Sequence, residues 1–388
     1  MKKGSSALIR LYYVGKVIGL CPYDLDEANM PRSSSFGLMY GVILSVAYTI
    51  VSHGIISERF KLAYPHQTIL SIIASSILLS VIFLCVVVSW MVFACGQTRF
   101  RSLIENFNDT KDLMGELGIL EDENNLIRRF IRYIVVVNSL FYVMLTGEQM
   151  ALYFNPTYDA TLWITFGVVR PTAFVTIVIF TNLLLVLRER FLALNKRILV
   201  LERVTAVGAR SWIHSYRVRS GKGVERIRTS QMGTKLKMVV RLHGELCDLT
   251  ERVCEFFSPV LFFVAIERFI NILVSCHATC LFLRHTDDRR RENYVVSIVV
   301  SLFTMVDVII FGYFATVCEM TSNEAKETAN VLHKTWMLPQ SDQSVKMLLQ
   351  RRLRITIFGF LDMGFSLFCK MTTTITTYMV IMLQLEDY

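Results

Sequence analysis

Seven apolar segments dominate the sequence, and each is long enough to cross a lipid bilayer as a helix. About 20 residues, each rising about 1.5 Å, cover the roughly 30 Å hydrocarbon core of a membrane. The chain is 53% apolar and 19% charged, which is too apolar for a soluble domain of 388 residues. The sequence therefore predicts an all-α membrane protein with seven transmembrane helices, at residues 36–57, 68–95, 131–154, 161–187, 253–282, 294–318 and 355–385.

Basic residues predict how these helices are oriented, because Lys and Arg concentrate in the cytoplasmic loops of membrane proteins. The N-terminus and every second loop carry 32 Lys and Arg, counting Arg132 at the start of the third span, whereas the opposite set carries 6. Long loops count less, but the ratio is still 17 to 6 without the 15 basic residues of segment 188–252. We predict a cytoplasmic N-terminus and an extracellular C-terminus. Residues 1–20 lack the pattern of a cleavable signal peptide.

The net charge of +9 arises locally, in the predicted cytoplasmic loop 188–252. This segment has 15 Lys and Arg against 6 Asp and Glu. A nucleic-acid site would need a folded basic face with aromatic platforms. A solvated loop facing anionic lipid headgroups needs only the charge, so we expect membrane lipid as a partner and no nucleic acid.

Catalytic motifs are not recognisable in the sequence, and we expect no enzyme activity and no cofactor. It has no HExxH pattern, Walker loop or nucleophile elbow. Cys276 and Cys280 are spaced to share a helix face, but a metal site would need two further ligands from elsewhere. Packed, reduced thiols are the favoured interpretation, and no metal is expected.

The C-terminus resembles the signature of insect gustatory receptors. Thr377 and Tyr378 are followed by five apolar residues, Gln384 and Leu385, where the family usually has Phe at the last position. Further segments similar to the family are Leu242-His243 with Asp248 and Phe257-Ser258, Glu324-Ala325 with Leu332-His333, and Gly359-Phe360-Leu361-Asp362.

The resemblance implies a ligand-gated cation channel in the plasma membrane of gustatory receptor neurons. It implies a homo- or hetero-tetramer with related subunits, a central pore lined by the seventh helix, and a pocket for a small-molecule tastant in the outer half of the other helices. We divide the chain accordingly into a cytoplasmic segment 1–35, a six-span ligand-binding bundle 36–318, an anchor segment 319–354 and a pore helix 355–388. The scarcity of carboxylates in the outer pocket favours bitter or other aversive ligands over sugars.

One face of the seventh span carries the candidate pore residues Thr373, Thr377, Val380, Ile381, Gln384 and Leu385. Hydroxyl and amide groups on such a face can replace the hydration of a passing ion, and an apolar ring can close the pore. A second interpretation is that the Thr hydroxyls bond to carbonyls of their own helix and Gln384 caps it at the interface. Lys370 lies on the same face, and we expect it to reach a carboxylate of another subunit or the wider cytoplasmic vestibule.

Ionisable residues within the spans are candidates for the ligand pocket, because burying a charge in lipid costs several kcal/mol unless it faces a cavity or a partner. An alternative interpretation is a set of structural ion pairs, such as Glu148 with Arg170. The candidate pocket residues, with two aromatic residues at the rim, are Glu148, Tyr153, Trp163, Arg170, Glu267, Arg268 and Asp307.

Two other classes of membrane protein remain open. A seven-span receptor coupled to G proteins would need the opposite orientation. A transporter would be expected to show paired, interrupted helices in related halves, whereas Pro171 and Pro259 are single kinks without an evident repeat.

Overall fold

Long helices form nearly all of the described structure, which is a computed structural model. It describes residues 12, 15–16, 19–27, 30–61, 69–119, 139, 160–215, 222–284, 290–335 and 353–385, with parts of the helices described by backbone alone. The predicted third span, 131–154, lies outside these residues except for Ser139.

Seven helices and two small hairpins follow one another along the described chain. The first hairpin pairs β1 with β2, and the second pairs β3 with β4, both antiparallel. The elements in chain order are β1 (Asp24–Leu25), β2 (Pro31–Arg32), α1 (Ser35–Lys61), α2 (Ile69–Cys95), α3 (Gln97–Glu116), α4 (Ala160–Ser215), α5 (Lys222–Arg284), α6 (Arg290–Thr335), β3 (Thr356–Ile357), β4 (Leu361–Asp362) and α7 (Phe365–Leu385).

Helices occupy the predicted spans within the described residues. Helices α1, α4, α5 and α6 contain the first, fourth, fifth and sixth spans. Helix α2 contains the second span from Ile69 onward, and α7 contains most of the seventh. By length and hydropathy, the described part of the chain has three helical stretches able to cross a membrane, at Ser35–Gly54, Lys237–His277 and Thr304–Val331. The bent pair of α2 and α3 makes a fourth if it is counted as one span.

The segment predicted as the largest loop, 188–252, is helical wherever it is described. Residues 188–215 continue α4 and residues 222–252 belong to α5. At about 1.5 Å per residue the 56 residues of α4 are about 84 Å long, far more than a bilayer needs. A high charge density therefore does not end these helices, because Lys, Arg and Glu are good helix formers.

The second and third helices meet at a bend of 70°. Gly96 occupies the bend, where a Cβ atom would collide with the Val92 carbonyl oxygen of α2 and would lie 2.7 Å from the Phe256 ring on α5. The side-chain amide of Gln97 then donates to the Ser34 carbonyl at 3.3 Å, and its oxygen accepts from the Ser34 backbone N–H at 2.8 Å. The missing side chain of Gly96 lets α5 pack directly into the bend.

Arginine side chains of α4 hold α3 in place. Arg190, which is 3% exposed, donates to the Phe107 carbonyl at 2.7 Å, and its guanidinium lies 5.4 Å from the centre of the Phe107 ring. Arg197 donates to the Leu117 carbonyl at 3.1 Å. Leu117 follows the last turn of α3, so Arg197 places a positive charge at the negative end of that helix dipole.

Aromatic rings fill the centre of the helical bundle. Phe93 of α2 makes edge contacts with Phe256 and Phe257 of α5, with ring centres 5.5 and 5.7 Å apart. Phe257 also contacts Phe180 of α4, and Phe180 contacts Phe314 of α6. Aromatic pairs of this kind add about 0.5–1.5 kcal/mol each beyond the area they bury, so they lock four helices together.

The final helix begins ten residues later than the predicted start of the seventh span at Ile355. Residues 356–362 form the β3–β4 hairpin instead, with Phe358 at φ 51° and Gly359 at φ 77°. Two consecutive left-handed residues make a tight turn and cannot continue a right-handed helix. The Ser258 hydroxyl of α5 accepts a hydrogen bond from the Phe358 N–H at 3.2 Å and so ties the hairpin to the bundle.

Candidate pore helix and buried ionic cluster

One face of α7 packs against α5 and α6. Phe368, Met371, Ile375 and Met379 recur at intervals of three and four residues, and from Phe368 onward they are the least exposed of the α7 side chains that the structure describes. Phe368 lies against Phe311 of α6, with ring centres 6.4 Å apart. This spacing gives one apolar stripe along the helix, which fixes how α7 is rotated.

The predicted pore residues lie on the opposite face of α7. A helix turns about 100° per residue, so Gln384, nine residues after Ile375, points about 180° away from it. Thr373 and Thr377 lie within about 20° of that direction by the same count. All the predicted pore residues with described side chains are exposed, namely Thr373, Thr377, Val380, Ile381 and Gln384. The side chain of Leu385 lies outside the described set.

Threonine hydroxyls on α7 donate to carbonyls of their own helix. Thr373 donates to the Cys369 carbonyl at 3.0 Å, and Thr377 donates to the Thr373 carbonyl at 3.0 Å. Both oxygens keep lone pairs that face outward. The hydrogen bonds from Thr hydroxyls to their own helix, which were the alternative interpretation, are therefore present. The hydroxyl oxygens on the exposed face can still accept, and oxygen acceptors are suited to contact cations.

Lys370 is exposed on the same side of α7. It lies five residues before Ile375, about 220° around the helix, which places it beside the Thr373 and Thr377 face. Lys370 is nearer the N-terminal end of the helix, about four turns before Gln384. Its expected partner, a carboxylate of another subunit, stays a prediction.

A buried ionic cluster joins α5 to α6. Arg268 donates to the Asp307 carboxylate, and its Nε lies 3.0 Å from Oε2 of Glu267. Asn271 donates to the second Asp307 oxygen at 2.8 Å. Each of the four residues is at most 8% exposed. Such a group is stable only when its members satisfy one another, because an unpaired charge there would be very costly.

Three of the seven predicted ligand-binding residues therefore come together, namely Glu267, Arg268 and Asp307. They pair with one another, which is the arrangement expected of structural ion pairs. Trp163 and Arg170 lie in the first turns of α4, which are described by backbone alone, and Glu148 and Tyr153 lie outside the described residues. Sequence reasoning missed Asn271, although its spacing of three residues from Arg268 puts both on one helix face.

Metal ligands do not cluster within the described residues, where no group of three or more His, Cys, Asp or Glu could hold an ion. Cys276 and Cys280 are free thiols, each partly buried. His243, which is 1% exposed, packs against the Phe191 ring and lies 3.7 Å from the Cys247 sulfur. These groups contribute to packing.

The sequence matches the family model of the 7tm chemosensory receptors over residues 8–388. The chain belongs to the 7tm chemosensory receptor family. Its fold is similar to that of the insect olfactory receptor OR5 from Machilis hrabei, with a TM-score of 0.66, 12% identity and 97% of each chain covered. The same receptor in complex with eugenol gives a TM-score of 0.62 with the same identity and coverage. No curated protein has a significantly similar sequence.

Membership in this family establishes a helical, multi-pass chemosensory receptor of the membrane. The resemblance to insect gustatory receptors was therefore correct at the level of the superfamily that includes the olfactory receptor fold.

Proposed function

We propose that this receptor is a tastant-gated, non-selective cation channel of the gustatory type, in which α7 lines a central pore. The observation that carries the proposal is the division of α7 into two faces. A pore helix must pack on one side and meet water on the other, and α7 packs through Ile375 while it exposes Thr373, Thr377 and Gln384.

Four copies of α7 around a central axis would turn each exposed residue into a ring. The outward lone pairs of Thr373 and Thr377 and the amide of Gln384 would then contact permeating cations. Rings of Val380, Ile381 and Leu385 would supply the apolar constriction that excludes water in the closed state. The partners are therefore cations, membrane lipid and three further subunits, either identical or related.

The ligand we propose is a small aversive compound, with bitter compounds as the first class to test. OR5 was solved with eugenol, a small phenol, which supports a small organic ligand for this fold. Arg268 binds Asp307 and lies 3.0 Å from Glu267, so the guanidinium engages both carboxylates and leaves them less available to accept hydrogen bonds from a polyhydroxylated sugar.

Cysteine substitution on the two faces of α7 tests the pore. In voltage-clamped cells, a positively charged methanethiosulfonate applied outside should reduce the ligand-evoked current of Thr377→Cys by more than half. Ile375→Cys is the matched control on the same helix, and it should be unaffected because that side chain is only 8% exposed. The current is evoked with denatonium, quinine, caffeine and eugenol, each tested as a candidate ligand.

Substitutions in the C-terminal motif provide a second test of the same pore. Leu385→Ala should raise the basal current, because it removes part of the apolar constriction, and Gln384→Ala should change conductance. Normal surface delivery with unchanged current and no block at Thr377, Gln384 or Leu385 would contradict the pore assignment.

A further inference from the structure

A cavity of about 420 Å³ lies between α5, α6 and α7. Its volume is within the range of about 300–1,000 Å³ that small-molecule sites occupy. Glu267, Arg268 and Asp307 do not line it. The cavity is therefore separate from every described residue that the sequence analysis assigned to the tastant pocket.

The lining of this cavity carries no charged side chain among the described residues. Apolar groups such as Val308, Phe368 and Ile375 form most of the wall, and hydroxyls with the Cys276 and Cys280 thiols supply the remainder. A charged ligand would lose its hydration without gaining a partner here. An uncharged and mainly apolar molecule would lose little hydration free energy on entering the cavity.

Hydroxyl groups of the wall can still bind one polar group of a ligand. The Thr376 hydroxyl donates to the Thr372 carbonyl at 3.0 Å, and both residues line the cavity. Their oxygens keep acceptor lone pairs, so a ligand hydroxyl could donate to one of them. Across the cavity, the hydroxyls of Thr279 and Ser301 lie 3.4 Å apart and link α5 to α6.

Phe368 is held where it closes one end of the cavity. Its ring approaches Gly312, where a Cβ atom would lie 3.5 Å from the ring, and it also packs against Phe311. The wall contributed by α7 consists of the packed residues Phe368, Met371 and Ile375, with the exposed Thr372 and Thr376 beside them. A molecule in the cavity would therefore contact α7 directly, opposite Thr373 and Thr377.

We propose that this cavity is a binding site for a small uncharged molecule of about ten to fifteen heavy atoms with a ring and a single hydroxyl group, separate from the tastant pocket. Because α7 forms one wall, any movement of that helix changes the shape of the site. An occupant that fits one position of α7 better than another shifts the population toward it, so the site is a place for modulation of gating.

The two native thiols in the wall provide a direct test on the purified full-length protein. In a Cys95→Ser/Cys369→Ser background, which removes the two exposed thiols, the remaining five cysteines outside the cavity are buried. Benzyl methanethiosulfonate, which is uncharged, should modify Cys276 and Cys280 at least tenfold faster than its trimethylammonium counterpart, as measured by mass spectrometry. The probe 2,6-diisopropylphenol should slow that modification at least fivefold.

Neighbouring positions on α6 give a matched pair of variants. Val308→Phe fills the cavity and should abolish protection by 2,6-diisopropylphenol. Ile309→Phe adds the same ring one residue later, on a side chain that is 60% exposed and does not line the cavity, and should leave protection intact. If Val308→Phe fails to fold, protection in the unsubstituted cavity still decides the outcome.

Several results would overturn the site. Equal modification by the charged and uncharged reagents would show an open aqueous cleft. Protection that is absent until lipid is removed would show that an acyl chain fills the cavity. Modification that appears only on dissociation of the oligomer would show that a neighbouring subunit fills it.

The consequence for current rests on the proposed channel function, whereas the labelling does not use it. With an intact channel, 2,6-diisopropylphenol should shift the ligand concentration for half-maximal current at least threefold, and Val308→Phe should remove that shift while Ile309→Phe keeps it. Protection without any current in any variant would retain the site and reject the channel. A normal ligand-evoked current without protection would retain the channel and reject the site.

Discussion

At the scale of single residues, the ionic cluster shows why charges persist in an apolar bundle. Arg268 bonds to Asp307 on another helix and lies beside Glu267, and Asn271 completes the set. Replacing a whole buried ionic group by apolar residues is often nearly neutral, whereas removing one member leaves an uncompensated charge. The cluster is therefore a device that fixes α5 against α6 more than a source of net stability.

The first prediction compares the loss of one member of the ionic cluster with replacement of all its charged members. Asp307→Ala should lower the free energy of unfolding by about 3–5 kcal/mol, because Arg268 is left with a buried charge that Glu267 shares poorly. The triple variant Glu267→Leu/Arg268→Leu/Asp307→Ala should recover most of the loss. Thermal stability of the detergent-solubilised protein, followed by size-exclusion chromatography, measures both.

A matched control for this prediction is Asp362→Ala, since Asp362 is an exposed carboxylate on β4. It should leave thermal stability unchanged. If Asp307→Ala is as stable as this control but has lost its response to ligand, the cluster serves the ligand pocket and the structural interpretation is wrong.

At the scale of helices, the bend between α2 and α3 depends on a missing side chain. The backbone turns at Gly96, directly after the end of α2, and the Phe256 ring of α5 lies against this bend. Phe256 in turn contacts Phe93 and Phe100 on the two sides of the bend. One small residue therefore lets three helices meet.

The second prediction uses the two glycines of this region. Gly96→Ala should destabilise the protein by about 1–3 kcal/mol, because its Cβ would collide with the Val92 carbonyl oxygen and lie 2.7 Å from the Phe256 ring. Gly115→Ala is the matched control in α3, where a Cβ would meet no atom within 4 Å. It should be neutral or stabilising by up to about 1 kcal/mol.

Surface delivery and thermal stability, compared between these two variants, check the prediction. Equal behaviour of Gly96→Ala and Gly115→Ala would show that the bend has room for a methyl group and that Phe256 can move aside.

At the scale of the whole molecule, the long helices reach well beyond the membrane. α4, α5 and α6 have 56, 63 and 46 residues, about two to three times the length that a bilayer requires. Their basic extensions lie on the side that the positive-inside rule assigns to the cytoplasm. The same end holds the contacts of Arg190 and Arg197 with α3.

The third prediction is the orientation of the chain. A tag placed after Tyr388 should bind antibody on intact cells, whereas a tag before Met1 should bind only after permeabilisation. The physical reason is the distribution of Lys and Arg: the N-terminus and the loops on its side of the membrane carry 32, and the opposite side carries 6. Immunofluorescence of the two tagged proteins with and without detergent makes the measurement.

Permeabilised cells supply the control, since both tags must then be visible. Labelling of the N-terminal tag alone on intact cells would reverse the topology. That result would favour the receptor coupled to G proteins over the channel.

The sequence by itself determined the features that depend on composition and period. Apolar runs of membrane length located six of the seven described helices, and the spacing of Thr373, Thr377 and Gln384 placed them on one face of α7, because helical geometry repeats along the chain. The motif around Thr377, Tyr378 and Gln384 identified the superfamily. These features are local, and neighbouring residues carry all the information they need.

Only the tertiary structure decided the features that depend on distant partners. The pairing of Arg268 with Asp307, the start of α7 after the hairpin, and the cavity beside Ile375 arise from contacts between helices. A residue's own neighbours do not reveal which side chain will face it from another helix, nor where packing leaves a space. Burial decides the pairing, because an unpaired buried charge is costly. The shapes of the packed helices decide where a space is left.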